Sequence, residues 1–212
     1  AAERRAAINP QRARPAAAVA PAHDTTSFVV ADTEGNVCSF IQSIFAHWGS
    51  AVVIEGTGII MNNRMRGFSL DPSSPNVLAP GKRTMHTLNT YLVFRGGPVE
   101  AGGRPYIIGN TPGADFQVQT NLQVITAIID YGLDPQAAID AARWGDTPGG
   151  LLVEEEMPAK TQRELARRGH GVKPVPRVIA PMGRAQAIVI DPATGVMIGG
   201  SDARGEGAAG GW

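Results

Sequence analysis

From Thr25 the run TTSFVVAD alternates apolar and polar residues with the two-residue period of a strand. TEGN follows as a turn, and NVCSFIQSIF resumes the alternation, so the stretch reads as a β-hairpin. The residues before it show no such pattern. They are rich in Ala, Pro and Arg, and Pro10, Pro15 and Pro21 limit any helix to a short one through Ile8. The chain therefore divides at Asp24 and Thr25, into a tail or linker over 1–24 and a folded domain over 25–212. A length of 212 residues allows one sizeable core.

Further β-like runs are AVVIEG, TGIIMN, NTYLVFRG and RPYIIGN, each bounded by Gly, Asn or Pro. In FQVQTNLQVITAIIDYG the residues Val118, Leu122, Ile125 and Ile129 recur at helical spacing. Val124, Ala127 and Ile128 widen that face, which predicts a well-buried helix ending at Gly132. Asp134 caps a second helix, with Pro135 at its first position, running to about Trp144. A polar helix is expected over 158–168, stopped by Gly169. The strands AQAIVID and GVMIGG then close the chain around a turn at Pro192 to Gly195. Strands, then helices, then strands predict an α+β fold with helices laid over a mostly antiparallel sheet.

Composition excludes several functions. Nineteen basic and nineteen acidic residues give a formal net charge of +0, so no nucleic-acid or anionic-membrane partner is indicated. No apolar run reaches about 18 residues, so no membrane-spanning helix is expected, and no secretory leader is evident at the start. One cysteine, Cys38, rules out an internal disulfide and reads as a buried, inert thiol. His23, His47, His86 and His170 lack metal-ligand spacing. Phosphate-loop, dinucleotide and GxSxG motifs are all missing, and no cofactor or metal is expected. Glu154, Glu155 and Glu156 read as a solvated acidic face. The compartment stays open between cytoplasm and periplasm.

Five blocks stand in one order: TTSFVVADTEGN, GSAVVIEGTGIIMNNRMRGFS, PGKRTMHTLNT, GNTPGADF and IDYGLDPQAAIDAARW. With AIVIDPATG and the terminal GGSDAR they resemble the small subunit of the gamma-glutamyltranspeptidase family, over nearly everything from Thr25 onward. The resemblance implies a four-layer αββα sandwich of the N-terminal nucleophile hydrolase type, formed together with a large subunit of the same precursor. It implies self-cleavage between Asp24 and Thr25, which makes residues 1–24 the end of the large subunit. Thr25 becomes the nucleophile, with its new α-amine as base. An unperturbed α-amine has a pKa near 8, suited to taking the hydroxyl proton. TPGA matches the family's glycine pair, with the N–H groups of Gly113 and Ala114 as oxyanion donors. Ala in place of Gly is a mild departure if its φ stays negative. Ser43 matches the hydroxyl that hydrogen-bonds the nucleophile, and Thr26 is a weaker candidate.

The substrate pocket departs from the family. The position of its substrate-binding Asn holds Phe45, and the acid that pairs with a glutamyl α-ammonium is replaced by Gly67. Arg64 and Arg66 replace a neighbouring amide and acid, and His86 and Thr87 replace the two serines that hold the α-carboxylate. An ammonium without its anion is costly to bury, whereas an Arg fork suits a carboxylate. SFIQSIF with LAPGKRTMHTLN also resembles a branch that hydrolyses small amides of dicarboxylic acids, oxamate being the known type. The expectation is a threonine amidohydrolase for a small acyl group bearing a carboxylate. Gamma-glutamyl transfer or glutathione hydrolysis, a glutaryl or cephalosporin acylase, and an unprocessed metabolite-binding relative stay open. The resemblance also admits a dimer of heterodimers.

Overall fold

The computed structural model describes residues 24–179 and 181–212. The expected tail, its short helix near Ile8 and His23 lie outside the described residues. The expected hairpin forms: β1 (Asp24–Ala31) pairs antiparallel with β2 (Val37–Phe45). Its turn is closed by Asp32, whose carboxylate accepts from the backbone N–H groups of Glu34 and Asn36, each at 2.9 Å. The Asn36 side-chain amide, which donates to Asp32 Oδ2 at 2.8 Å, and these backbone bonds favour the charged form and hold the Asp32 pKa below its ordinary value.

A four-stranded sheet carries the chain's main core. Its order is β3 (Thr90–Arg95), β4 (Arg104–Asn110), β8 (Gln186–Ile190) and β9 (Met197–Ser201), antiparallel throughout. Helices α1 (Gln117–Ile129) and α2 (Pro135–Asp140) pack on one face. Ile107, Ala187 and Val189 from the strands meet Val124, Ile128, Ala138 and Ile139 from the helices. The β1–β2 hairpin lies against the same sheet, in contact with β4 and β8. Strand residues alternate faces, so Asn110 and Gln186 address the hairpin while Ile107 and Ala187 address the helices.

The second sheet consists of β5 (Trp144–Thr147), β6 (Gly150–Glu154) and β7 (Val172–Val175), with α3 (Ala159–Arg167) between β6 and β7. Its β6–β7 pair is parallel, which the expectation of a mostly antiparallel sheet did not include. Helix α2 ends at Asp140 rather than near Trp144, because Trp144 starts β5. Asp134 does cap it, accepting from Ala137 N at 2.9 Å. AVVIEG and TGIIMN do not become strands; they are linked by the isolated bridge Val53–Ile60 and by turn bonds from Thr57 to Ile54 O. The expected face of α1 is also revised. Val118, Leu122 and Ile129 are 61%, 53% and 49% exposed, whereas Val124, Ala127 and Ile128 pack on the core as expected, joined inward by Gln117, Thr120 and Asn121.

Glu154 overturns the reading of a solvated acidic trio: it is fully buried, and Glu155 and Glu156 alone are exposed. Its carboxylate accepts from Arg204 and from the backbone N–H of Arg143. Arg143 in turn lies 2.7 Å from Asp202. Burial pushes the Asp202 carboxyl up, but Arg143, Arg204 and two backbone N–H groups outweigh it and hold it below its ordinary value. The network ties the C-terminal GGSDAR segment to α2 and β6, and buried charges need such mutual pairing. Cys38 is exposed rather than buried, since it sits on the outward face of β2.

Candidate active site

Thr25 and Ser43 are register partners at the open end of the hairpin. The Thr25 hydroxyl donates to Ser43 Oγ at 2.9 Å, and the Phe45 N–H donates to the same oxygen at 2.9 Å. The ladder slips between Asp24 and Thr25, where Asp24 pairs with Phe45 and leaves Ile44 as the extra residue. Phe45 takes a φ of 77°, a backbone region that costs a bulky residue about 1–2 kcal/mol. The bond before Thr25 therefore lies at an irregularity in the pairing, beside a strained partner.

The hairpin is fixed to the sheet by buried polar contacts. Asn110 Nδ2 donates to Phe28 O at 2.9 Å, to Ser39 Oγ at 2.9 Å and to Phe40 O at 3.1 Å. Ser27 Oγ donates to Gln186 Oε1 at 2.8 Å. Thr25 lies two residues from Ser27 on the same face of β1, and the TPGA turn follows directly on Asn110. Sequence reasoning missed Asn110 and Gln186, which perform this anchoring, and Thr111 beside them. Polar residues inside otherwise apolar strand runs were the available signal.

In the turn, Gly113 has φ 131° and Ala114 has φ 49°. The condition that Ala114 keep a negative φ is not met: Ala stands in the left-handed region, where Gly is favoured. Thr111, fully buried, donates its hydroxyl to Pro112 O at 2.7 Å and accepts from Arg184 N at 2.9 Å.

A second group adjoins Ser43 through Phe45. The Arg64 guanidinium carbon lies 4.6 Å from the Phe45 ring centroid, and Nη1 donates to Thr87 Oγ1 at 3.2 Å. Partial burial lowers the Arg64 pKa, yet an arginine remains a cation. No carboxylate among the described residues pairs with it. Gly67 sits nearby, its carbonyl held by Asn76 Nδ2 at 2.6 Å. A Cβ at Gly67 would lie 3.1 Å from Thr84 Oγ1, so a larger side chain needs that neighbour to give way. Phe45, Arg64 and Thr87 are thus brought together. Arg66 and His86 are exposed, with no hydrogen bond to this group. No cluster of His, Cys, Asp and Glu suited to a metal ion occurs among the described residues.

This layered α/β fold is shared with solved gamma-glutamyltranspeptidases and acylases. The family pattern described as gamma-glutamyltranspeptidase matches residues 1–212, and the chain belongs to that family. It is 42% identical over 192 residues to the glutathione hydrolase-like YwrD proenzyme of Bacillus subtilis, covering 88% of this chain and 35% of that protein. It is 37% identical over 198 residues to the oxamate amidohydrolase proenzyme of Klebsiella pneumoniae, covering 89% of this chain and 36% of that protein. Its fold matches a cephalosporin acylase from Bacillus halodurans with a TM-score of 0.83 and 39% identity, over 100% of this chain and 38% of the other. The chain spans about a third of the length of these curated relatives.

Proposed function

We propose that this chain is the nucleophile-bearing part of a self-processing threonine amidohydrolase, acting on amides of small acyl groups that carry a carboxylate. The observation that carries the reading is the Thr25–Ser43 hydroxyl pair at 2.9 Å, at the head of the hairpin. In the precursor, Thr25 Oγ attacks the Asp24 carbonyl carbon. The C–N bond breaks, the acyl group moves to oxygen, and water hydrolyses the ester to leave a free amine on Thr25. In turnover that amine takes the hydroxyl proton as Oγ attacks the substrate amide. The N–H groups of Gly113 and Ala114 hold the oxyanion, each donor worth about 100- to 1000-fold in kcat. Collapse expels ammonia or an amine with the proton. Water then releases the carboxylic acid from the Thr25 ester.

The cation of Arg64, stacked on Phe45 and steadied by Thr87, holds the carboxylate of the acyl group. Gly67 offers no anion to a glutamyl ammonium, which disfavours gamma-glutamyl substrates. A large subunit preceding Thr25 completes the four-layer sandwich. A second reading, an acylase for longer dicarboxylic side chains such as glutaryl, is favoured by the same Arg64–Phe45 pair and by the likeness to a cephalosporin acylase.

The protein with its preceding segment should show a new N-terminus at Thr25 by sequencing and intact mass, and Thr25→Ala should remain uncut. An uncut protein that retains full turnover would overturn the mechanism. Ammonia release from short dicarboxylate monoamides should exceed chromophore release from a gamma-glutamyl anilide. Arg64→Gln with Gly67→Asp should shift that preference toward the glutamyl substrate. Strong glutamyl turnover by the unaltered protein would refute the carboxylate pocket.

A further inference from the structure

We propose that Thr111 is a positioning residue for the oxyanion turn, its hydroxyl fixing the direction in which the Gly113 N–H points. The inference rests on the reading of Gly113 as an oxyanion donor. A threonine hydroxyl has one proton to give and lone pairs to receive. At Thr111 the proton goes to Pro112 O at 2.7 Å, while the Arg184 N–H donates to Thr111 Oγ1 at 2.9 Å. No peptide bond among the described residues is cis. In a trans peptide the carbonyl oxygen and the following N–H point to opposite sides. Pinning the Pro112 carbonyl to Thr111 therefore directs the Gly113 N–H away from it.

The pin is needed because Gly113 alone does not hold this orientation. With no Cβ, it tolerates rotation of the Pro112–Gly113 peptide at little cost. Packing keeps the residue a glycine: a Cβ there would lie 2.9 Å from Gly183 Cα. Gly183 has the reciprocal constraint, since its own Cβ would lie 2.2 Å from Thr111 Oγ1. The loop behind the turn is itself fixed. Met182 O accepts from Thr120 Oγ1 at 2.9 Å and from Arg143 Nη1 at 3.1 Å. Thr111 is thus the link through which a rigid loop holds a turn that its own glycine would leave free.

The test uses the protein with its preceding segment and compares Thr111→Val, Thr111→Ser and the unaltered chain. Thr111→Val keeps the shape and loses the hydroxyl. It should lower kcat about 10- to 100-fold, short of or equal to losing a donor outright, with KM changed less than about twofold. Thr111→Ser should restore kcat to within about threefold. A crystal structure of Thr111→Val should show the Pro112–Gly113 peptide rotated. If Thr111→Val does not fold, Thr111→Ala replaces it in both measurements. A folded hydroxyl-free variant with kcat within twofold of the unaltered protein overturns the proposal, as does an unrotated peptide. An unaltered protein that neither self-cleaves nor hydrolyses any amide sinks the functional reading instead. The crystal comparison still decides the role of Thr111.

Discussion

At Ala114, φ is 49°, where a side chain meets the following carbonyl and a glycine does not. Restoring glycine relieves that contact but also loosens the unfolded chain, so the two effects partly offset. Ala114→Gly should raise stability by up to about 1 kcal/mol, read as a later urea midpoint at unchanged slope. A destabilised variant would show that the methyl group contributes more to packing than its backbone costs. Ala114 is 4% exposed, so the packing side of that balance is real. The hydrogen-bonded pairing of Thr25 with Ser43 was legible in the sequence because both fall inside ordered motifs. The sign of φ at Ala114 was not, since it depends on the closure of the turn against the 181–183 loop. Glu154 was likewise misread: its partner Arg204 stands 50 positions away, beyond what a local charge run reveals.

Helix α1 shows how a period is legible while its direction is not. Val118, Leu122 and Ile129 satisfy helical spacing as well as Val124 and Ile128 do, and sequence alone does not rank the two stripes. The sheet chose the second, and with it the polar Gln117, Thr120 and Asn121. Each has at least one polar atom paired: Gln117 accepts from Asn89 N at 2.8 Å, Asn121 donates to Asn89 Oδ1 at 2.7 Å, and Thr120 donates to Met182 O at 2.9 Å. Ile128→Ala should therefore cost about 3 kcal/mol, whereas Leu122→Ala should cost less than about 1 kcal/mol, both from chemical denaturation. Equal losses would mean that the outer stripe is covered in the assembled protein. The missed strands β5 to β7 have a different cause. WGDT and GLLVE are short, and VKPV contains a proline, so each is weak alone and forms only because its neighbour pairs with it.

Across the whole molecule, much apolar surface remains outside the core. Phe28 and Phe40 stack at 5.0 Å on the outer hairpin face, and Val30 beside them is 51% exposed. The 46–89 segment adds Trp48, Val52, Ile59 and Met61, all exposed. Patches of this extent favour association. The chain expressed by itself should self-associate in sedimentation measurements, and co-expression with the preceding segment should give a monodisperse complex. A stable, monodisperse monomer of the chain alone would contradict a covering partner. The sequence by itself determined the hairpin at Thr25, the order of the site motifs and the family, because these rest on local alternation and on residues close together along the chain. Only the tertiary structure decided which helix face is buried, which glutamate is inside, and that the Thr111 hydroxyl bonds the Pro112 carbonyl and the Arg184 N–H. Those outcomes depend on atoms brought together from distant positions, where burial and hydrogen-bond closure outweigh local preference.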